Sequence, residues 1–321
     1  ISDRNIKVWS SVGPRATYGL AIMELAKTEE KLVIVTSDTS TSAGLDRFKR
    51  KYPEKYFDIG IAEQNTLGVA SGLANEGFIT FVSTFAPFQS MRCLEQIKVN
   101  LAYMQIPLNV VGLASGVNLG HLGYTHCCIE DIGVLRSLPN LTIISPADSL
   151  ETAKAVYSAS QLRSPTYIRL TGDNKTPQVN NEDYNYIIGN AIQLLAGENI
   201  AVVASGSMVG NAKLALLKLK DIGINLSLYN FHTIKPIDKN TIKKIAKKYK
   251  LVVSIEEHNT IGGLGTALSE NLITQNTVPK LLKWGIEDTY VLTGSYDDIL
   301  LKAGLTIEKI TSNLRKEYNK L

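Results

Sequence analysis

Between residues 31 and 171, short runs of β-branched and apolar residues alternate with longer stretches of helical period. Few architectures accept that succession. Strands that are apolar along their whole length need cover on both faces, so they belong to a parallel sheet with helices packed on either side. The segments 33–36, 78–83, 108–112, 141–145 and 166–170 read as those strands. Glu63–Asn75 carries Leu67, Ala70, Ser71 and Ala74 at helical spacing; residues 88–103, Asp131–Arg136 and residues 149–161 read as further helices. Residues 172–184 are polar, contain Pro177 and have no apolar period, so they read as a connection. The alternation then restarts, with strands expected at 200–204, 224–229, 251–255 and 281–284 and helices at 209–219, 239–248, 265–273 and 306–321. The expected fold is α/β with two domains, each a mostly parallel sheet flanked by helices. Residues 1–175 form the first domain, 176–187 the linker and 188–321 the second domain.

Composition narrows the class further. The chain has 321 residues, 44% hydrophobic and 20% charged, which describes a soluble globular protein with room for two cores. A net charge of +4, from 34 basic and 30 acidic side chains, is too small to imply nucleic acid or an anionic membrane as partner. Lys243, Lys244, Lys247 and Lys248 have the spacing of a solvated helix face. No apolar stretch approaches the roughly 18 residues of a spanning helix, and residues 1–9 lack the succession of an export signal. Of the three cysteines, Cys127 and Cys128 are sequence neighbours and Cys93 is odd, so a reducing cytoplasm is the simplest location.

Three segments carry candidate chemistry. Asp58-Ile-Gly-Ile-Ala-Glu63-Gln64-Asn65 puts a carboxylate where a strand end turns into a helix of small residues. There Glu63 is either desolvated and raised in pKa, held by a partner, or simply a first-turn glutamate favoured by the helix dipole. Ser83-Thr84-Phe85-Ala86-Pro87-Phe88-Gln89-Ser90-Met91-Arg92 places two phenylalanines at the carboxyl end of a strand, where doubly wound folds bind ligands. A flat heteroaromatic can stack on such a ring, although both rings can equally fill the core. Gly116 to Asp131 is a glycine-rich connection in which His126 is the best proton-handling or hydroxyl-binding group. A zinc reading of His121, His126, Cys127 and Cys128 is disfavoured, since adjacent cysteines in one short loop do not readily close a tetrahedral site.

Together these motifs resemble the pyrimidine-binding domain of the transketolase superfamily of thiamine diphosphate enzymes, and the chain is most similar to the C-terminal half of transketolase. The resemblance continues through Leu138-Pro-Asn140 and Ser145-Pro146-Ala147-Asp148. In the second domain it includes His232-Thr-Ile-Lys-Pro-Ile-Asp238 and Glu256-Glu-His-Asn-Thr-Ile-Gly-Gly-Leu-Gly265. It implies a transferase that moves a two-carbon glycolaldehyde (ketol) unit from a ketose donor to an aldehyde or aldose acceptor through the ylid of thiamine diphosphate. Glu63 matches the glutamate that hydrogen-bonds the cofactor's aminopyrimidine ring nitrogen. Phe88 matches the ring that stacks on that pyrimidine, with Phe85 beside it. His126 matches the histidine that contacts substrate oxygen. Arg15 and Ser42 resemble the pair that holds the phosphate of a sugar phosphate, a role suited to the planar fork of guanidinium. Asp38, at the end of the first strand, is readable as lining the cofactor site or as capping the loop, and Arg92, one turn after Phe88, as a site residue or as a buried structural ion-pair partner.

The resemblance also shows what this sequence lacks. No Gly-Asp-Gly run of the diphosphate-binding domain occurs, and Thr171-Gly172-Asp173-Asn174 is not an equivalent. The expectation is therefore an N-terminal diphosphate-binding transketolase subunit as partner, in an α2β2 heterotetramer, with Mg2+ or another divalent ion held by that partner. The location expected is cytoplasmic and the role is in carbohydrate metabolism. Leu122 stands where many transketolases carry an aspartate that reads hydroxyl configuration. Gly172 stands near where a second phosphate-binding arginine is expected, with Arg169 nearby but out of register, and Ala114 where a histidine often helps. These departures point to an unusual donor or acceptor, such as a modified or unphosphorylated sugar. Competing readings are the β subunit of a 2-oxo acid dehydrogenase, a fragment of a deoxyxylulose-phosphate synthase, and a non-catalytic assembly subunit of the same fold. The synthase fragment is disfavoured because the sequence opens directly on its own domain.

Overall fold

The computed structural model describes residues 3–290 and 293–321. Its strands in chain order are β1 Leu32–Thr36, β2 Tyr56–Asp58, β3 Ile79–Phe85, β4 Asn109–Leu113, β5 Thr142–Ile144, β6 Thr166–Arg169, β7 Ile192–Leu195, β8 Ile200–Ala204, β9 Ser227–Asn230, β10 Thr233–Lys235, β11 Leu251–Asn259 and β12 Lys280–Ile286. The first sheet runs β10-β5-β6-β4-β3-β1-β2 and the second β12-β11-β8-β9-β7. Within the first sheet every pairing is parallel except that of β10 with β5; within the second, only β7 with β9 is antiparallel. The fold is therefore two mostly parallel sheets flanked by helices. β1, β4 and β8 are buried along their whole length, as strands covered on both faces must be.

The helices start where the sequence supplies caps. Asp148 accepts the Glu151 amide at the head of Ser149–Leu162, and Asp238 accepts the Thr241 amide at the head of Lys239–Lys248. On Lys239–Lys248 the four lysines named above are exposed while Ile242, Ile245 and Ala246 are buried. The helix expected over 88–103 is instead three pieces: Ala86–Ser90, Leu94–Gln96 and a wide π-helical turn, Ile97–Tyr103. Burial of Ile97, Leu101 and Ala102 suits a spacing of four or five residues equally well, so apolar period alone does not separate the two helix types.

The second domain is joined to the first by more than its linker. β10, which contains part of the His232-Thr-Ile-Lys motif, leaves the second domain and adds an antiparallel edge to the first sheet. The segment after Thr171 contains no strand or helix until β7, yet it is tied down. Asp148 accepts the amides of Val179 and Asn180, and the Tyr184 hydroxyl donates to Glu151. One apolar core runs through both domains, taking Leu135, Leu138 and Ile143 from the first and Phe231, Ile234 and Leu264 from the second.

Candidate active site

The carboxyl ends of β1, β2, β3, β4 and β6 lead into the segments that carry the candidate residues. Phe85 ends β3, and Pro87 opens the short helix Ala86–Ser90 in the first-turn position that proline favours. Phe88 then lies one turn beyond Phe85, their rings 6.3 Å apart and nearly perpendicular. Arg92 follows four residues later, and its guanidinium carbon sits 4.3 Å from the centre of the Phe88 ring.

Glu63 is the first residue of the helix Glu63–Asn75 and is buried. Its Oε2 lies 2.7 Å from Nη1 of Arg92. The structure thus gives the buried carboxylate a partner, and it also leaves the carboxylate at the positive end of a helix. Gln64 fixes the arginine's backbone by donating from Nε2 to the Arg92 carbonyl oxygen at 3.1 Å.

His126 reaches the same cluster from the connection after β4. Gly116 and Cys128 exchange two backbone hydrogen bonds of 2.8 Å, which close residues 117–127 into a loop. The imidazole lies 5.4 Å from the Phe88 ring and 6.4 Å from Phe85. Its Nδ1 is 3.1 Å from Thr125 Oγ1. Glu63, Phe85, Phe88, Arg92 and His126, drawn from three separate segments, therefore form one connected group.

Arg15 and Ser42 meet in a different place, a cleft of about 400 Å³ that Gly172, Asp173 and Asn174 also line. Gly13, at φ 77°, breaks the helical run Asp3–Leu25 so that Pro14 and Arg15 begin a new helical segment. A side chain on Gly13 would also crowd the Asn174 backbone. The loop bearing Ser42 packs against this segment at Gly19, where a β-carbon would stand 2.1 Å from the Gly44 oxygen. Burial lowers the pKa of Arg15, opposed by Asp173, so this is a cation short of solvation. Among the described residues, no hydrogen bond, ion pair or ring contact joins this cleft to the ring cluster. Both lie at the carboxyl edge of the first sheet, and Thr39, three residues before Ser42, donates from Oγ1 to the Ser83 oxygen of β3.

Other candidates take structural places. Asp38 is exposed with φ 54°, and its amide donates to Asp58. Arg169 is buried, its Nε donating to Asp131 and its Nη2 to the carbonyls of Cys128 and Glu257. Leu122 is half exposed and Ala114 buried. The three cysteines are free and buried, with burial pushing the thiols of Cys93 and Cys127 up to about 12 and about 11. Among the described residues no three of His, Cys, Asp or Glu converge as metal ligands.

The Glu256-Glu-His motif, which spacing alone could not place, latches the second domain to the first. Glu256 accepts the amides of Leu264 and Gly265, and burial pushes it up to about 7. Glu257 accepts the Val117 amide at 2.8 Å, at the root of the His126 loop, and hydrogen bonds from Ser207 and Tyr296. His258 accepts the Gly133 amide through Nε2.

The ring cluster fits an aminopyrimidine on a direct observation. A planar cation with in-plane N–H donors already lies on the Phe88 ring and reaches the Glu63 carboxylate. An aminopyrimidine offers the same flat face to Phe88, with a ring nitrogen at its edge that accepts a hydrogen bond from the carboxyl once it is protonated.

Among known proteins, the transketolase pyrimidine-binding domain family matches residues 11–176 and the transketolase C-terminal domain family residues 189–310. The chain is 36% identical, over 297 residues, to an apulose-4-phosphate transketolase subunit of Phocaeicola vulgatus, covering 92% of this chain and 94% of that protein. It is 33% identical to a 6-deoxy-6-sulfo-D-fructose transketolase subunit of a Clostridium species, covering 92% of this chain and 91% of that one. Among solved structures, a split-gene transketolase described as an inactive β4 tetramer superposes with a TM-score of 0.85 at 33% identity, covering 95% of this chain and 98% of that one.

Proposed function

Since the chain belongs to the transketolase family and carries its pyrimidine-binding and C-terminal domains, we propose that it is the C-terminal subunit of a split transketolase, active only with a diphosphate-binding partner. The observation that carries this reading is the convergence of Glu63, Phe88 and His126 on one group at the carboxyl edge of the first sheet. Two relatives of nearly the same length named as transketolase subunits support the division of the enzyme between chains. The domain limits 1–175, 176–187 and 188–321, the α2β2 assembly, a divalent ion on the partner and a cytoplasmic role in carbohydrate metabolism belong to the same proposal.

Thiamine diphosphate, when bound, supplies the electron sink for carbon–carbon bond cleavage, and the chain's task is to place and protonate. Glu63 holds a proton against the pyrimidine ring nitrogen from a buried position at a helix N-terminus. Phe88 offers its face to the pyrimidine, and Phe85 braces Phe88 edge-on. His126, with Nδ1 engaged by Thr125, presents Nε2 to a substrate hydroxyl or carbonyl oxygen. Arg15 and Ser42 take the far, anionic end of the sugar in their cleft. One relative is named for a sugar phosphate and another for a sulfo sugar, and a desolvated guanidinium suits either anion.

The test is reconstitution. The chain, purified alone and with its co-purifying partner, is assayed with pairs of ketose donors and aldehyde acceptors. Turnover is expected only from the pair, and Glu63→Gln is expected to abolish it while leaving the assembly intact. Turnover by this chain alone, or unchanged turnover in the Gln variant, overturns the assignment. Turnover that needs a lipoyl carrier instead of free sugars identifies the 2-oxo acid dehydrogenase reading.

A further inference from the structure

We propose that Arg92 is an internal stand-in for the cofactor ring, a guanidinium that fills the slot between Phe88 and Glu63 until the pyrimidine displaces it. The inference rests on the function proposed above and adds a residue to it. Three observations carry it. The guanidinium carbon stands 4.3 Å over the Phe88 ring, where a stacked heteroaromatic belongs. The same group bonds Glu63 Oε2 at 2.7 Å and so occupies the carboxyl that a pyrimidine ring nitrogen would hydrogen-bond. Phe85 and His126 meet Phe88 at 80° and 73°, so neither covers it as a parallel plate.

The arrangement solves a problem that a buried carboxylate creates. Glu63 is 5% exposed at its side chain, and without a partner it would be an uncompensated charge in the unliganded chain. Arg92 supplies that partner from a side chain 45% exposed, so it can leave for solvent without disturbing the core. Its main chain need not move, because Gln64 holds the carbonyl and Cys93 Sγ donates to the Phe88 oxygen nearby. Binding the ring therefore replaces the planar cation at both Phe88 and Glu63 and costs the two contacts of Arg92. A cation–π contact and a half-exposed ion pair together are worth about tenfold in an equilibrium constant.

The test is calorimetric titration of thiamine diphosphate, at saturating Mg2+, into the native complex freed of cofactor. Arg92→Ala is expected to bind about tenfold more tightly than the parent, and Phe88→Ala and Glu63→Gln more weakly. If Arg92→Ala binds equally or less well while the other two variants weaken binding, the stand-in role is overturned and the site assignment survives. If Phe88→Ala and Glu63→Gln leave the affinity unchanged, both fall. Should Arg92→Ala not assemble, Arg92→Lys decides: it keeps a charge for Glu63 but no plane for Phe88, so severalfold tightening supports displacement and none refutes it.

Discussion

Asp131→Ala should cost the protein a large part of its stability, because it strands a charge in the interior. The Asp131 side chain is inaccessible and that of Arg169 is 2% exposed, with Arg169 Nε 2.9 Å from Asp131 Oδ2. Tyr167 adds a third member by donating its hydroxyl to the same carboxylate at 2.8 Å. Removing one partner of a buried pair costs about 3–5 kcal/mol, and an orphaned hydroxyl about 1–3 more where the effects do not overlap. A total of about 4–8 kcal/mol compares with a whole-domain stability of about 5–15 kcal/mol. Urea denaturation followed by two independent probes measures it, and the midpoint should fall without a change in slope. The loss should reach the site, since the helix Asp131–Arg136 starts three residues after the Gly116–Cys128 bridge that closes the His126 loop. Amide exchange in 117–127 should accelerate accordingly. Asp131→Leu combined with Arg169→Met should recover most of the loss, less the two carbonyls of Cys128 and Glu257 that Arg169 now satisfies. A single variant within about 1 kcal/mol of the parent refutes the reasoning, because Arg169 would then have found other company.

Three more outcomes follow from the same contacts. Burial holds the His258 imidazole down at about 4, with Nε2 accepting from Gly133; the unfolded chain thus binds more protons between about pH 4 and 6.5, and stability rises with pH there. The stability advantage of the parent over His258→Asn should therefore shrink as pH falls through that window, and a gap independent of pH contradicts it. Asp148→Ala removes a helix cap and two linker anchors, so trypsin cleavage at Lys175 should become faster, whereas an unchanged cleavage rate means the linker is held elsewhere. Gly13→Ala forces a side chain into φ 77° against Asn174, at about 1–3 kcal/mol. In the reconstituted enzyme it should raise KM for an anionic sugar more than it lowers kcat, and an equal effect on a neutral sugar would argue against the Arg15 cleft as the anion site.

Much of the architecture was legible because it depends on local apolar period. The helices Glu63–Asn75, Asp131–Arg136 and Lys239–Lys248 lie where their patterns put them, and β1, β4 and β8 are near-continuous apolar runs. β2 and β10 are three residues each, too short for any period, and β7 is a half-exposed edge strand without an apolar run. β10 also pairs with a strand almost 90 residues earlier, which no local window reveals. At the site, the strand-end position of Phe85 and Phe88 was readable, as was the placement of Glu63 at a helix start. For Arg92 the spacing of four from Phe88 left an ion-pair reading open, but not that Glu63 is its partner or that the guanidinium lies on Phe88. Glu256, Glu257 and His258 were noticed as a motif, but their work lies in contacts across the domain boundary at separations above 100 residues for Glu257 and His258.

The central claim is that this chain supplies the pyrimidine half of a cofactor site whose charged tail is held by another subunit. A crystal structure of the native complex with thiamine diphosphate tests it most directly. The account predicts the aminopyrimidine stacked on Phe88 with a ring nitrogen hydrogen-bonded to Glu63 and the diphosphate on the partner. A structure in which Glu63 faces solvent, or in which this chain alone grips the diphosphate, contradicts it.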